Sequence, residues 1–217
     1  MTYRAVIFDL DGTLLDTLED LADALNHVLQ DRGFPTHPTH AFRDFIGDGS
    51  TMLVSRALPP EKRNSELTSD CLAAFLRQYT HSWNKKTRPY SGISTLLDAL
   101  TAKNIKMAVY TNKQQDFAEL CFQEFLSGWP FAVVLGQKDG APMKPDPGGP
   151  REIARRLDIP AQAFAYLGDS GVDMKTAVNA GMFPVGALWG FRSEKELRAS
   201  GAAEVISRPE QLLTLIA

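Results

Sequence analysis

The sequence predicts an α/β fold: an open, doubly wound parallel sheet with helices on both faces, and an all-helical segment inserted after the first strand. Short, almost uninterrupted apolar runs recur along the chain, the pattern of strands buried on both faces. Segments with helical spacing lie between them, as right-handed crossover units require. From about residue 15 to residue 81 this rhythm is suspended, and only helical patterns are found.

The first run is Ala5-Val6-Ile7-Phe8. Leu18, Leu21, Ala22, Leu25, Val28 and Leu29 then mark one long amphipathic helix. Further helical patterns at about 39–46, 50–58 and 64–80 are separated by Gly47-Asp48-Gly49 and Pro59-Pro60. The stretch Asn84 to Gly92, stiffened by Pro89, returns the chain to the sheet. Ile93, Leu96, Leu97 and Leu100 give a helix, Met107 to Tyr110 a strand, Phe117, Leu120 and Cys121 a shorter helical face, and Phe131 to Leu135 a third strand. Phe164 to Leu167 follows, then the weaker runs Val185 to Ala187 and Val205-Ile206. The expected domains are a sheet-bearing core of residues 1–14 and 82–217 and a helical insertion of residues 15–81.

A chain of 217 residues with a net charge of −3 has room for one core and an insertion, and no basic footprint for nucleic acid. Its two cysteines, Cys71 and Cys121, form no CxxC pair, which speaks against a disulfide framework or zinc site and fits a cytoplasmic protein. The opening apolar run is too short for a signal peptide or a membrane span.

In open α/β sheets, ligands bind beyond the carboxyl ends of the strands. Four runs are followed there by chemistry: Asp9 and Asp11; Thr111-Asn112-Lys113; Lys144-Pro145-Asp146-Pro147 after a loop; and Gly168-Asp169-Ser170 with Asp173 a turn later. Asp169 alone reads as a helix N-cap; the four together read as a site. Asp9, Asp11, Asp169 and Asp173 against Lys144 leave an excess of negative charge. Two unit charges 4 Å apart interact by roughly 4 kcal/mol at an effective dielectric near 20. A hard divalent cation relieves this, and an all-carboxylate set without His or Cys suits Mg²⁺ rather than Zn²⁺. Lys144, Thr111 and Asn112 suit phosphate oxygens. One carboxylate, Asp9, is then placed to attack phosphorus, and the other, Asp11, to exchange protons with the leaving oxygen and with water.

The four stretches FDLDGTLLDT, YTNK, MKPDP and LGDSGVD resemble, in order and spacing, the motifs of the haloacid-dehalogenase-like hydrolase superfamily, and the resemblance covers essentially the whole chain. It implies a Rossmann-like core with a helical cap, Asp9 as nucleophile and Asp11 as general acid/base. Mg²⁺ would be held by Asp9, the backbone carbonyl of Asp11, and Asp169; Thr111 and Lys144 would hold the phosphoryl group, and Asp173 would support the metal or Lys144. Within the superfamily the chain is most similar to phosphoglycolate phosphatases, in Phe45-Ile46-Gly47-Asp48-Gly49 with Ser55-Arg56-Ala57-Leu58, in Pro89-Tyr90-Ser91-Gly92, and in Trp189-Gly190-Phe191. That implies a small phosphorylated metabolite such as 2-phosphoglycolate as substrate, acted on by a monomer or homodimer. Gly148-Gly149-Pro150 departs from the family pattern, which runs directly into a helix, and unsettles the expected geometry near Lys144.

Outside these motifs, Gly47-Asp48-Gly49 reads as a turn, which the resemblance implies is a substrate-specificity loop, and Arg56 reads as a solvated residue or a binder of a substrate carboxylate. Lys113 reads equally as an anion binder or a surface charge at a helix start. His37 and His40 are expected in a solvated loop, and Trp189 near the site. A sugar phosphomutase of the same superfamily typically shows a cap histidine where Leu21 stands, which disfavours that alternative. A phospho-aspartate receiver, a non-enzymatic module, is disfavoured by the long cap and by Asp11.

Overall fold

A computed structural model describes residues 3–216. Strand β1 (Ala5–Phe8) is buried along its whole length, as an apolar run with a neighbour on each side must be. Two short segments, β2 (Leu15–Asp16) and β3 (Arg88–Pro89), pair as a separate two-stranded sheet. Neither shows in the sequence, because a two-residue strand is shorter than any periodicity. β4 (Lys106–Gln114), β5 (Phe131–Gln137), β6 (Phe164–Gly168), β7 (Phe183–Ala187) and β8 (Glu204–Ile206) join β1 in a six-stranded sheet of order β5-β4-β1-β6-β7-β8. Every pairing described in that sheet is parallel.

The chain runs outward from β1 through β4 to β5, then starts again on the other side of β1 with β6. The direction of winding therefore reverses beside β1, and a crevice is expected at the carboxyl end of that strand. β4 is longer than the run Met107 to Tyr110 predicts, so Thr111, Asn112 and Lys113 lie inside the strand rather than after it.

The chain forms two compact units, one comprising the sequence up to Leu15 and from Pro89 onward, the other Asp16–Arg88. The second is helical: α1 (Leu18–Asp31), α2 (Phe42–Phe45), α3 (Gly49–Ala57) and α4 (Ser65–Thr80). α1 buries the stripe its spacing predicts, including Leu21, Leu25, Val28 and Leu29. This unit runs past residue 81 because the buried Asp20 accepts hydrogen bonds from the backbone of Lys86 and Thr87 and from the Thr87 hydroxyl, tying that stretch to α1. His37 is not a solvated loop residue. Its ring packs edge-on against Phe42 and Phe45, and its Nε2 is 2.8 Å from the Ala57 carbonyl oxygen.

In the sheet unit, α5 (Ile93–Ala102) buries Ile93, Leu96, Leu97 and Leu100. α6 (Gln115–Phe125) departs from its expected face: Ala118 and Cys121 are buried, whereas Leu120 is exposed. α7 (Gly148–Leu157), α8 (Gly171–Ala180), α9 (Glu194–Ala199) and α10 (Leu212–Leu215) complete the two helical layers. Gly148-Gly149-Pro150 is the first turn of α7 rather than an interruption before it. A Cβ on Gly149 would lie 2.3 Å from the Tyr110 ring, so the glycine lets α7 approach β4. Among the described residues no helix is long and apolar enough to cross a membrane.

Candidate active site

At the carboxyl end of β1, Asp9 is buried and its Oδ1 accepts a 2.8 Å hydrogen bond from Lys144 Nζ. The same ammonium donates to Asp173 Oδ1 at 2.7 Å. Lys144 is itself buried, and its Nζ stands 5.3 Å and 5.7 Å from the ring centres of Tyr110 and Tyr166. These aromatic faces add attraction for the cation while excluding water. The backbone N–H of Lys144 donates to Asn112 Oδ1, so Asn112 holds the loop that delivers the lysine.

Asp173 occupies the first turn of α8, where Ser170 is the N-cap and the two residues form a reciprocal capping box. Its Oδ2 accepts from the Ser170 hydroxyl and backbone N–H, and its Oδ1 from Lys144 and the Tyr166 hydroxyl. An ionised carboxylate offers about four acceptor sites, and those of Asp173 are taken up by Ser170, Tyr166 and Lys144. Asp169, read alone as a helix cap, is not the cap; that place belongs to Ser170. Asp169 instead points to the site, with Oδ1 accepting from Thr13 Oγ1 at 3.2 Å and Oδ2 from the Phe191 backbone N–H at 2.7 Å. Gly12 lies against it at φ +85°, and a Cβ there would come within 2.4 Å of Asp169 Oδ2. The glycine of the Asp-Gly-Thr turn is thus required both for its backbone and for the space Asp169 fills.

Asp9, Asp169 and Asp173 each offer an oxygen within 4.8 Å of the others. Burial first, and then the charge of Asp173, push the Asp9 carboxyl up to about 7 despite Lys144. Burial, Asp173 and Asp9 drive Asp169 well above the usual carboxylate range. Burial opposes the charge on Lys144, but Asp173 and Asp9 outweigh it and hold that ammonium well above the usual lysine range. Lys144 pairs with Asp9 and Asp173, and Arg192 bears electrostatically on Asp169; the all-oxygen donor set of the three buried acids fits a hard divalent cation.

Asp11 stands apart from this trio. Its two carboxylate oxygens lie 3.0 Å and 3.2 Å from Lys113 Nζ. Lys113 is buried, which overturns its reading as a surface charge at a helix start. Lys113 thus pairs with Asp11, while Lys144 is shared by Asp9 and Asp173. Thr111 is buried next to them, its Oγ1 accepting from the Lys113 backbone N–H. Trp189 donates from Nε1 to the Thr13 carbonyl, near the turn as expected.

The remaining predicted residues belong to the helical unit. Gly47 and Gly49 both have positive φ, at 125° and 82°, and Asp48 precedes α3. Asp48 is ion-paired with Arg56, whose guanidinium also donates to the Phe45 carbonyl. Thr13, Phe191, Tyr110 and Tyr166 were not singled out for the site by sequence. The tyrosines read as ordinary strand residues, while Phe191 was visible only through the Trp-Gly-Phe resemblance.

A parallel sheet whose winding reverses at a strand-end aspartate, faced by a lysine and a second acidic turn, is an open-sheet α/β site suited to phosphate chemistry. The family model for haloacid dehalogenase-like hydrolases matches residues 6–187, and the chain belongs to that family. A phosphoglycolate phosphatase of Psychrobacter arcticus is 35% identical over 94% of this chain and 91% of its own length. One from Mesorhizobium japonicum is 31% identical over 100% of this chain and 96% of its own. The crystal structure of a candidate phosphoglycolate phosphatase from Lactobacillus delbrueckii subsp. bulgaricus superposes with a TM-score of 0.94 at 32% identity, covering 100% of this chain and 99% of the other.

Proposed function

We propose that the protein is a Mg²⁺-dependent phosphatase that hydrolyses a small phosphate monoester, 2-phosphoglycolate foremost, through an aspartyl-phosphate. The observation that carries this reading is Asp9: a buried strand-end carboxylate held by Lys144 within a cluster of acids. Asp9 and Asp169, with the backbone carbonyl of Asp11, would hold the cation, which when bound neutralises the acids and the phosphoryl oxygens. Lys144 binds a phosphoryl oxygen, and the Thr111 hydroxyl donates to another. An Asp9 oxygen attacks phosphorus in line, a P–O(Asp) bond forms, and the P–O(ester) bond breaks. Asp11 gives its proton to the departing alkoxide. A water then attacks the phosphoryl group, Asp11 takes a proton from it, and Asp9 is released with inorganic phosphate.

The preference for 2-phosphoglycolate rests on the named relatives. A panel of small phosphate esters assayed with Mg²⁺ and ranked by kcat/KM tests it: 2-phosphoglycolate should lead, and a flat ranking would reduce the reading to a broad small-ester phosphatase. Asp9→Asn should lower kcat by at least about 10³-fold, since it removes a covalent nucleophile. Activity surviving that change would end the proposal.

A further inference from the structure

The two lysines at the rim divide the acids between them. Lys144 engages Asp9 and Asp173, while Lys113 engages Asp11. Both oxygens of Asp11 face one ammonium, at 3.0 Å and 3.2 Å, and the two side chains are 13% and 5% exposed. The Asp11 carboxylate is absent from the Asp9, Asp169 and Asp173 cluster, although only one residue separates it from Asp9. An aspartate side chain turns about two torsions. Next to a cation held by Asp9 and Asp169, an untethered carboxylate at position 11 would be drawn to that cation.

We infer that Lys113 is the positioning residue for Asp11: it holds that carboxylate away from the metal cluster and reserves it for proton exchange. This rests on Asp11 being the acid/base of the proposed reaction. It reassigns Lys113 from a substrate anion binder to a residue that acts through Asp11. A lysine suits the task. Its ammonium is a point charge rather than a rigid fork, so it restrains the carboxylate while leaving it free to rotate toward the leaving oxygen or water.

The test is a double-mutant cycle on kcat and KM, using the best ester from the panel. Asp11→Asn alone should lower kcat by about 10²–10⁴-fold. Lys113→Met should lower kcat by about tenfold or more, with KM within about threefold, but by under about twofold in the Asp11→Asn background. Equal losses in both backgrounds, or an effect confined to KM, would overturn the inference and leave the proposed reaction standing. An Asp11→Asn protein with unchanged kcat would instead defeat the acid/base reading itself. Lys113→Met strands a mostly buried carboxylate and can fail to fold. In that case the same cycle with Lys113→Arg, which keeps the counter-charge and alters its geometry, reads the coupling. Additivity there overturns the inference, and non-additivity supports it.

Discussion

The Asp9–Lys144 pair at the sheet rim and the Asp48–Arg56 pair in the helical unit are built from the same chemistry in different surroundings. Lys144 and Asp9 side chains are 2% and 12% exposed, whereas Arg56 and Asp48 are 30% and 33% exposed. Desolvation makes the buried pair costly to form and costlier to break, and the open pair nearly neutral for stability. A chain keeps a pair of the first kind where chemistry needs fixed charges. The second kind can rearrange around a ligand.

Breaking the buried pair should have the largest effect. Lys144→Met leaves Asp9 and Asp173 facing each other without their cation, and should cost about 3–5 kcal/mol of stability. Chemical denaturation would measure it, and the loss should shrink at acidic pH as the stranded carboxylates take up protons. A loss under about 1 kcal/mol at neutral pH would show that the pair is not buried in solution.

The metal and pH should act on the same contrast more gently. Asp9 is raised to about 7 in the metal-free chain, against about 3.9 when unfolded. Its protonation thus favours the folded state fully below the unfolded value, and that contribution disappears as pH rises through 7. Between pH 6 and 8 the metal-free protein should lose on the order of 1 kcal/mol from this group. On the proposed function Mg²⁺ would compete with that proton, so it should raise Tm more at pH 8 than at pH 6. Thermal unfolding with Mg²⁺ and with EDTA at the two pH values checks this, and equal Mg²⁺ shifts would contradict it.

The smallest effect belongs to the open pair. Arg56→Ala should change stability by no more than about 1 kcal/mol. If Arg56 binds a substrate carboxylate, KM for 2-phosphoglycolate should rise while KM for an ester with a neutral leaving group stays put. Equal shifts for both esters would remove Arg56 from substrate recognition.

The same contrast separates what the sequence reveals from what it hides. Asp9, Lys144 and Asp169 were legible because each follows a strand or its loop, and strand ends are where an open sheet gathers ligands. Lys113 was ambiguous because the apolar run stops at Tyr110, while the strand continues to Gln114 through Thr111, Asn112 and Lys113. A polar extension of a buried strand looks like a loop unless its long-range partners are known. Asp11, the partner of Lys113, lies 102 positions away. The Tyr166 and Tyr110 rings around Lys144 were hidden for the same reason, since packing between distant strands leaves no local period. In the helical unit the α1 stripe was plain, yet the extension beyond residue 81 was not, because it depends on Asp20 meeting Lys86 and Thr87.

The Phe191 amide that grips Asp169 lies outside the stretch, ending at 187, that the hydrolase family model spans. A recombinant fragment trimmed to that stretch would therefore retain every signature motif and still lack a donor that fixes one of its acids. For this protein the boundary of family likeness and the boundary of a working catalyst are different places in the chain, and any shortened or chimeric version should carry the segment after β7 with it.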